Sequence, residues 1–237
     1  MKQSALPQHI GIIMDGNGRW AKKRFKPRTA GHQQGLKTAK RIVKAAREIG
    51  IPYLTLYAFS TENWKRAQDE VSFLINLIHT YLRKELDFYR ENRVRIVYSG
   101  DAAALPAEIR DDIRSVMNDT AGYDGLTVNL ALNYGGRNEI ARAAQAVVIE
   151  HPERDFTRQP ISETDIRQHL DTAALPDPDL IIRTGGDLRL SNFLLWGSAY
   201  SELYFTKILW PDFSERDLRA AVQEFQRRTR RFGGVHE

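Results

Sequence analysis

The stretch Ile12-Ile13-Met14-Asp15-Gly16-Asn17-Gly18-Arg19-Trp20 sets an acid, two glycines and an arginine directly after an apolar run. Gly16 and Gly18 allow backbone N–H groups to converge on an anion where a helix begins. Arg19, Arg28 and His32 can add charge-assisted hydrogen bonds, each of roughly 1.5–3 kcal/mol when desolvated. Asp15 would repel a phosphate there unless a divalent cation stood between them, so an acid beside an anion cradle points to Mg²⁺. The other reading is a tight turn with a chance acid, and the stretch taken alone fits both. It is neither a Walker loop, since no Gly-Lys-Ser/Thr follows, nor a GxGxxG dinucleotide fingerprint.

Similar groups gather elsewhere: Ser60-Thr61-Glu62-Asn63-Trp64, Asn133-Tyr134-Gly135-Gly136-Arg137, and Arg183-Thr184-Gly185-Gly186-Asp187 followed by Arg189-Leu190-Ser191. Arg183, Arg189 and Ser191 suit a second phosphate, although lone arginines around a Gly-Gly turn are more often surface partners. His32 alone reads as a helix-start or packing residue; one turn past Arg28 it could face the same anion. Trp20 and Trp64 each follow a polar loop, where they are either core or the wall of an apolar pocket.

The elements that must hold these groups alternate. His9 to Asp15, Tyr53 to Ser60, Val94 to Ser99, Leu126 to Tyr134 and Leu180 to Thr184 read as strands. Leu36, Ala39, Ile42, Val43, Ala46 and Ile49 recur at helical spacing, with Gly50 placed to end that helix. Val71, Leu74, Ile75, Ile78 and Leu82 form the stripe of a helix running to about Asn92, either core against the sheet or the wall of a tunnel. Further helices are expected around Ile109–Met117, from Asn138 to Glu150, after Ser162 with Asp165, beyond Gly185-Gly186, and after Ser214.

This order predicts an α/β fold, a mostly parallel central sheet with helices on both faces. Ligands of such sheets sit beyond the carboxyl ends of the strands, and every polar group named above falls there. No repeat, low-complexity tract or linker appears, and His151 to Pro160 reads as a surface loop, so residues 1–237 are expected to form one domain.

Lys and Arg exceed Asp and Glu by 35 to 30, a balance that suits an anionic partner. A nucleic-acid binder is disfavoured, because the cations cluster in short motifs with glycine and acid, as a small anion requires. With no cysteine, disulfides, thiolate metal sites and cysteine nucleophiles are excluded. The first residues offer too short an apolar run for a signal peptide, and no window approaches the roughly 18 apolar residues of a membrane span. A cytoplasmic protein is expected, with peripheral contact at the inner face of the membrane left open.

Taken together, HIGIIMDGNGRWAKKR, GHQQG, YAFSTENWKR, NYGGRNEI, DLIIRTGGDLRLSNFLLWGSAYSELYF, LWPDF and RRFGG closely resemble, in order, the motifs of the cis-prenyltransferases, the family of the bacterial undecaprenyl diphosphate synthases. The resemblance spans nearly the whole chain. It implies an enzyme that condenses an allylic diphosphate, typically farnesyl diphosphate, with isopentenyl diphosphate units to give a long Z-polyprenyl diphosphate. Undecaprenyl diphosphate, precursor of the lipid carrier for cell-wall polysaccharides, would be the product; a shorter Z-prenyl product or a silent partner subunit is the alternative. Asp15, Arg19, Arg28, Arg183 and Arg189 are all present, which argues against a silent subunit.

The resemblance also implies roles. Asp15 would be the catalytic, Mg²⁺-linked aspartate, with Glu202 a further acid near the metal. Gly16, Asn17, Gly18, Arg19, Arg28 and His32, with Trp20 beside them, would bind the allylic diphosphate. Ser60, Thr61, Glu62, Asn63, Trp64 and Arg66 would form a mobile substrate loop. Arg183, Arg189 and Ser191, with Leu190 between them, would bind isopentenyl diphosphate. The implied fold is a homodimer whose subunits each enclose a hydrophobic tunnel. Trans-type synthases are argued against: they are all-helical with paired DDxxD motifs, and the single Asp pair here, Asp111-Asp112, reads as part of a surface helix.

Asn63 is often given the proton-accepting position in that family, but a neutral amide is too weak a base near pH 7. It is therefore expected to orient, while a diphosphate oxygen or Asp15 takes the proton. The chain departs from the family pattern at Ala67, Asp187 and Leu188, which puts catalytic roles for the last two in doubt. Ala58 is expected on the tunnel side and Leu126 at its floor. Arg231-Phe232-Gly233 resembles a tail that crosses a dimer interface, or else a plain helix end.

Overall fold

The computed structural model describes residues 5–229. Short apolar runs form β1 (His9–Ile13), β2 (Tyr53–Ser60), β3 (Val94–Ser99), β4 (Leu126–Tyr134), β5 (Leu180–Arg183) and β6 (Glu202–Phe205). They make one sheet in the order β3-β4-β2-β1-β5-β6, with every pair parallel. Central β1 and β5 are buried at each position, as parallel strands covered on both faces must be.

Parallel pairing demands crossovers, which contain α1 (Asn17–Lys23), α2 (Arg28–Ile49), α3 (Gln68–Lys84), α4 (Leu86–Glu91), α5 (Ala107–Thr120), α6 (Gly136–Glu150) and α7 (Glu163–His169), while α8 (Glu215–Arg227) follows the last strand. Gly50, at φ 92°, ends α2 by donating to the Ala46 and Arg47 carbonyls. Ser162 and Ser214 form capping boxes with Asp165 and Asp217.

Three expectations are corrected. The long helix after Val71 divides at Glu85, whose φ of −101° and ψ of 10° leave the helical region while its carboxylate pairs with Lys40 of α2. The helix expected after Gly185-Gly186 is a single 3₁₀ turn, Gly197–Tyr200. Ser191, Asn192 and Leu194 all have positive φ, which a right-handed helix cannot contain. Asp112 is not a surface residue: it is buried against His79 and Arg83 of α3.

One sheet face, carrying Ile10, Ile12, Leu54, Leu56, Ile96 and Val128, packs on α2, α3, α4, α5 and α8. Burying each such side chain contributes roughly 1.5–3 kcal/mol. Within this layer lies an apolar cavity of about 60 Å³, walled by Leu36, Ala39 and Val43 of α2, Ile78 and Leu82 of α3, and Val128, Leu130 and Leu132 of β4. Leu126 lies on the same face of β4, one pleat beyond Val128.

The other face carries a smaller cluster of Ile13, Ala131, Tyr134 and Ile181 beneath Phe193 and Leu194. It also carries a buried polar chain. The Pro176 carbonyl can only accept, so His9 Nδ1–H donates to it at 2.6 Å. His9 Nε2 must then accept from Thr55 Oγ1 at 2.7 Å, while Asn129 donates to Thr55 and Ser99 donates to Asn129.

The chain leaves β1 toward β2 on one side and returns to pair β5 on the other. This reversal opens a crevice at the carboxyl end of β1, where ligands of open α/β sheets bind.

Candidate active site

The parallel register sets Ile13 beside Arg183, so Asp15, two residues on, meets the end of β5. Arg183 Nη2 donates to Asp15 Oδ2 at 2.9 Å, and Arg19 Nη2 lies 3.0 Å from Oδ1. Burial alone would raise the Asp15 carboxyl, but hydrogen bonds and charge from Arg183 and Arg19 outweigh it and hold it below the usual carboxylate range. Arg183 is only 4% exposed and also donates to Arg189 O and Ser191 Oγ, while its Nε is buried with no partner. Asp187 accepts from Arg189 at 2.9 Å and lies 3.4 Å from Arg183 and 3.7 Å from Arg19. Asp187 thus gathers three guanidiniums.

Gly16, at φ 111°, turns the chain into α1. The first amides of that helix, from Asn17, Gly18 and Arg19, have no intrahelical acceptor, and these three residues line the opening. A Cβ at Gly18 would come within 3.3 Å of the Arg28 guanidinium, so the missing side chain lets Arg28 lie over the turn.

Arg28, His32 and Arg66 converge on one acid that the sequence did not single out. Glu70, in the first turn of α3, lies 3.1 Å from Arg28 Nε, 3.2 Å from His32 Nε2 and 2.8 Å from Arg66 Nη1. Its own burial would raise it, but Arg66, Arg28 and His32 hold its carboxyl low. Burial pushes the His32 imidazole below its ordinary value despite Glu70, so His32 is chiefly neutral near pH 7. The Glu70 carboxylate thus occupies an anion's place among these groups.

Asn63 and Ser60 form a reciprocal cap on the 3₁₀ turn Thr61–Lys65, with Asn63 Oδ1 accepting from Ser60 N at 3.1 Å. Glu62 accepts from Asn192 Nδ2 at 2.8 Å. Asn192 in turn takes the Gly136 and Arg137 amides, so the Asn133–Arg137 turn braces the loop that carries Ser191.

A cavity of about 710 Å³ collects Asp15, Asn17, Arg19, His32, Ser60, Glu62, Asn63, Arg66, Arg183, Arg189 and Ser191. An adjoining one of about 240 Å³ adds Gly16, Gly18 and Arg28 and shares Asp15, Asn17, Arg19, His32 and Arg66. Asp187 and Leu74 also line the larger cavity, whose unforeseen members are Asn192 and Tyr57. Glu70 was readable as the i+4 partner of Arg66, and Asn192 as the next polar residue after Ser191.

Other expected residues stand outside both cavities. Trp20 packs with Ala21 and Leu209 and donates its indole N–H to Asp212. Trp64 donates to Asn133 Oδ1 and meets Phe59 edge-on. Thr61 faces Gly135, and Leu190 packs beside Phe193. Glu202 is corrected as an intrachain metal partner of Asp15. It opens β6 opposite Leu180, at the far end of the strands, where it pairs with Arg228 at 2.8 Å. Arg231-Phe232-Gly233 lies outside the described residues.

Among the described residues no group of three or more His, Cys, Asp or Glu could hold a metal by itself. Mg²⁺ needs only one or two carboxylates when substrate phosphates supply the rest, and Asp15, ionised and facing the cavity, fits that requirement.

Met14 and Ala58 line both the 710 Å³ polar cavity and the 60 Å³ apolar one. An arginine-rich chamber therefore abuts a hydrocarbon-lined slot, an arrangement suited to a ligand with an anionic head and an apolar tail.

Residues 13–233 match the family model described as "Putative undecaprenyl diphosphate synthase". An isoprenyl transferase of Treponema denticola is 50% identical over 228 residues, covering 96% of this chain and 98% of the relative. That of Bacillus subtilis is 51% identical, covering 97% and 88%. Among solved structures, lavandulyl diphosphate synthase from Lavandula x intermedia, in complex with dimethylallyl diphosphate, superposes with a TM-score of 0.92 at 35% identity, covering 97% and 99%. A "probable undecaprenyl diphosphate synthase" from Campylobacter jejuni gives 0.80 at 37% identity, with the same coverage.

Proposed function

Since the chain belongs to the undecaprenyl diphosphate synthase family of isoprenyl transferases, we propose that it condenses farnesyl diphosphate with successive isopentenyl diphosphates to a long Z-polyprenyl diphosphate, undecaprenyl diphosphate. The observation that carries this reading is the sharing of Met14 and Ala58 between the polar and apolar cavities. In each cycle the bond from the allylic C1 to its diphosphate oxygen breaks, and C4 of isopentenyl diphosphate bonds to that carbon. A proton then leaves C2 of the isopentenyl unit to form the new double bond.

The α1 amides, Arg28, His32 and Arg66 hold the allylic diphosphate, which takes the place Glu70 fills in its absence. Arg183, Arg189 and Ser191 hold the second diphosphate. Asp15 would hold Mg²⁺ together with substrate phosphates, and the bound ion would neutralise charge on the leaving group. Asp15 is too weak a base to take the proton while Arg183 and Arg19 hold it, so a departing diphosphate oxygen accepts it. The Asn63 carbonyl is committed to the Ser60 amide, so Asn63 shapes the loop and orients. Homodimer formation and a cytoplasmic site of action, with transient contact at the inner membrane face, complete the reading.

A second reading, a short Z-prenyl product, is favoured by the slot's volume of about 60 Å³. Purified protein incubated with Mg²⁺, farnesyl diphosphate and labelled isopentenyl diphosphate separates them. A product of many added units supports the first, a single addition the second, and no incorporation removes both.

A further inference from the structure

Phe25 combines two unfavourable features without a return inside the fold. It is 100% exposed, and its φ of +53° lies in the left-handed region. The turn after α1 is a Schellman motif, with Lys26 N donating to Ala21 O and Phe25 N to Lys22 O. Glycine ordinarily fills the position that Phe25 takes, because a Cβ there is strained. The ring therefore sits in a strained turn with no burial to compensate.

Its surroundings are basic. Lys22, Lys23, Arg24, Lys26 and Arg28 fall within seven residues, all exposed. Arg24 pairs with Asp212 and Arg28 with Glu70. Among the described residues no carboxylate lies within ion-pair distance of Lys22, Lys23 or Lys26, so three lysines flank the ring without an acid, Lys26 Nζ lying 5.8 Å from the centre of the Trp20 ring. Lys22 and Arg28 also line the 240 Å³ cavity, which puts this tip at the mouth of the diphosphate site.

We infer that the tip Lys22–Arg28 docks on the surface of a bilayer carrying anionic phospholipids, with the Phe25 ring entering the headgroup boundary and the lysines facing lipid phosphates. Charge complementarity selects this occupant: unpaired lysines around an aromatic match an anionic interface. A single protruding ring offers far less area than the roughly 800 Å² per partner of a stable protein interface. Resting on the proposed reaction, the same placement would hold the cavity mouth where lipid-tailed diphosphates enter and leave.

The test needs no substrate, so it stands apart from turnover, which is measured separately. The purified protein is sedimented with vesicles of phosphatidylcholine mixed with phosphatidylglycerol, with phosphatidylcholine alone, and with single-stranded RNA in competition. Binding to the anionic vesicles only is expected. Phe25→Gly should lower it at least about fivefold while raising the melting temperature, since glycine relieves the strained φ. Lys23→Gln with Lys26→Gln, which spares the cavity-lining Lys22, should lower it at least about fivefold. Equal binding by Phe25→Gly, equal binding to neutral vesicles, a lowered melting temperature for Phe25→Gly, or displacement by RNA with the same Phe25 dependence overturns the inference.

Discussion

Arg183 donates to the Asp15 carboxylate at 2.9 Å across the neighbouring ends of β5 and β1. This contact would join the two proposed diphosphate subsites, because Arg183 also holds Ser191 while Arg19 reaches Asp15 from α1. Asp15→Ala should lower turnover by roughly 10³-fold, about 4 kcal/mol of transition-state stabilisation. Steady-state rates at saturating substrate check this; a loss below tenfold would place Asp15 away from the reacting groups.

Arg183→Lys keeps the charge but loses the fork that spans Asp15, Ser191 and the Arg189 carbonyl. kcat/KM for isopentenyl diphosphate should fall by roughly 10- to 100-fold, with the KM for the allylic substrate much less affected. Equal effects on both substrates would show that Arg183 does not belong to one subsite.

Glu70→Gln frees Arg28, His32 and Arg66 from their carboxylate. Inorganic diphosphate, measured by calorimetry, should bind roughly three- to tenfold tighter, because it no longer displaces a charged competitor. Weaker binding would mean that Glu70 organises these groups rather than holding their place.

Burial pushes the His9 imidazole down to about 4, and its hydrogen-bond chain requires the neutral ring. The folded value lies below the ordinary 6.5, so this contribution is fully present above pH 6.5 and is lost as pH falls toward 4. It amounts to about 3 kcal/mol on an order-of-magnitude scale. Denaturant unfolding across that window should show stability falling with pH, and His9→Gln should flatten much of the slope; an unchanged slope would contradict it.

Ala58 stands where the polar chamber meets the apolar slot, and Leu126 lies one pleat beyond the slot wall at Val128. Ala58→Leu should shorten the product and Leu126→Ala should lengthen it, both read by chromatography of labelled chains. Unchanged distributions would detach these residues from length control.

Much of this architecture was legible in the chain. Tyr53–Ser60, Val94–Ser99 and Leu126–Tyr134 are the strands their β-favouring runs suggest, and Gly50 stops α2 where its spacing ends. The strand-end rule brought Asp15 and Arg183 together although 168 positions separate them. The break at Glu85 was hidden because the apolar stripe continues through it, and a helical period carries no signal of an ion pair to another helix. The left-handed Ser191, Asn192 and Leu194 were equally hidden, since none is glycine. Trp20 and Trp64 show the limit of adjacency: indole N–H groups satisfied by Asp212 and Asn133 turn both away from the chamber beside them.

In the proposed reaction one chain couples two diphosphate subsites to an apolar slot for a growing hydrocarbon. Its most direct measurement is the chain length of labelled product formed from farnesyl diphosphate, isopentenyl diphosphate and Mg²⁺ by the purified protein. A Z-polyprenyl diphosphate extended by many isopentenyl units is expected, with incorporation abolished by chelation. Absence of incorporation, or incorporation that survives both chelation and Asp15→Ala, would contradict it.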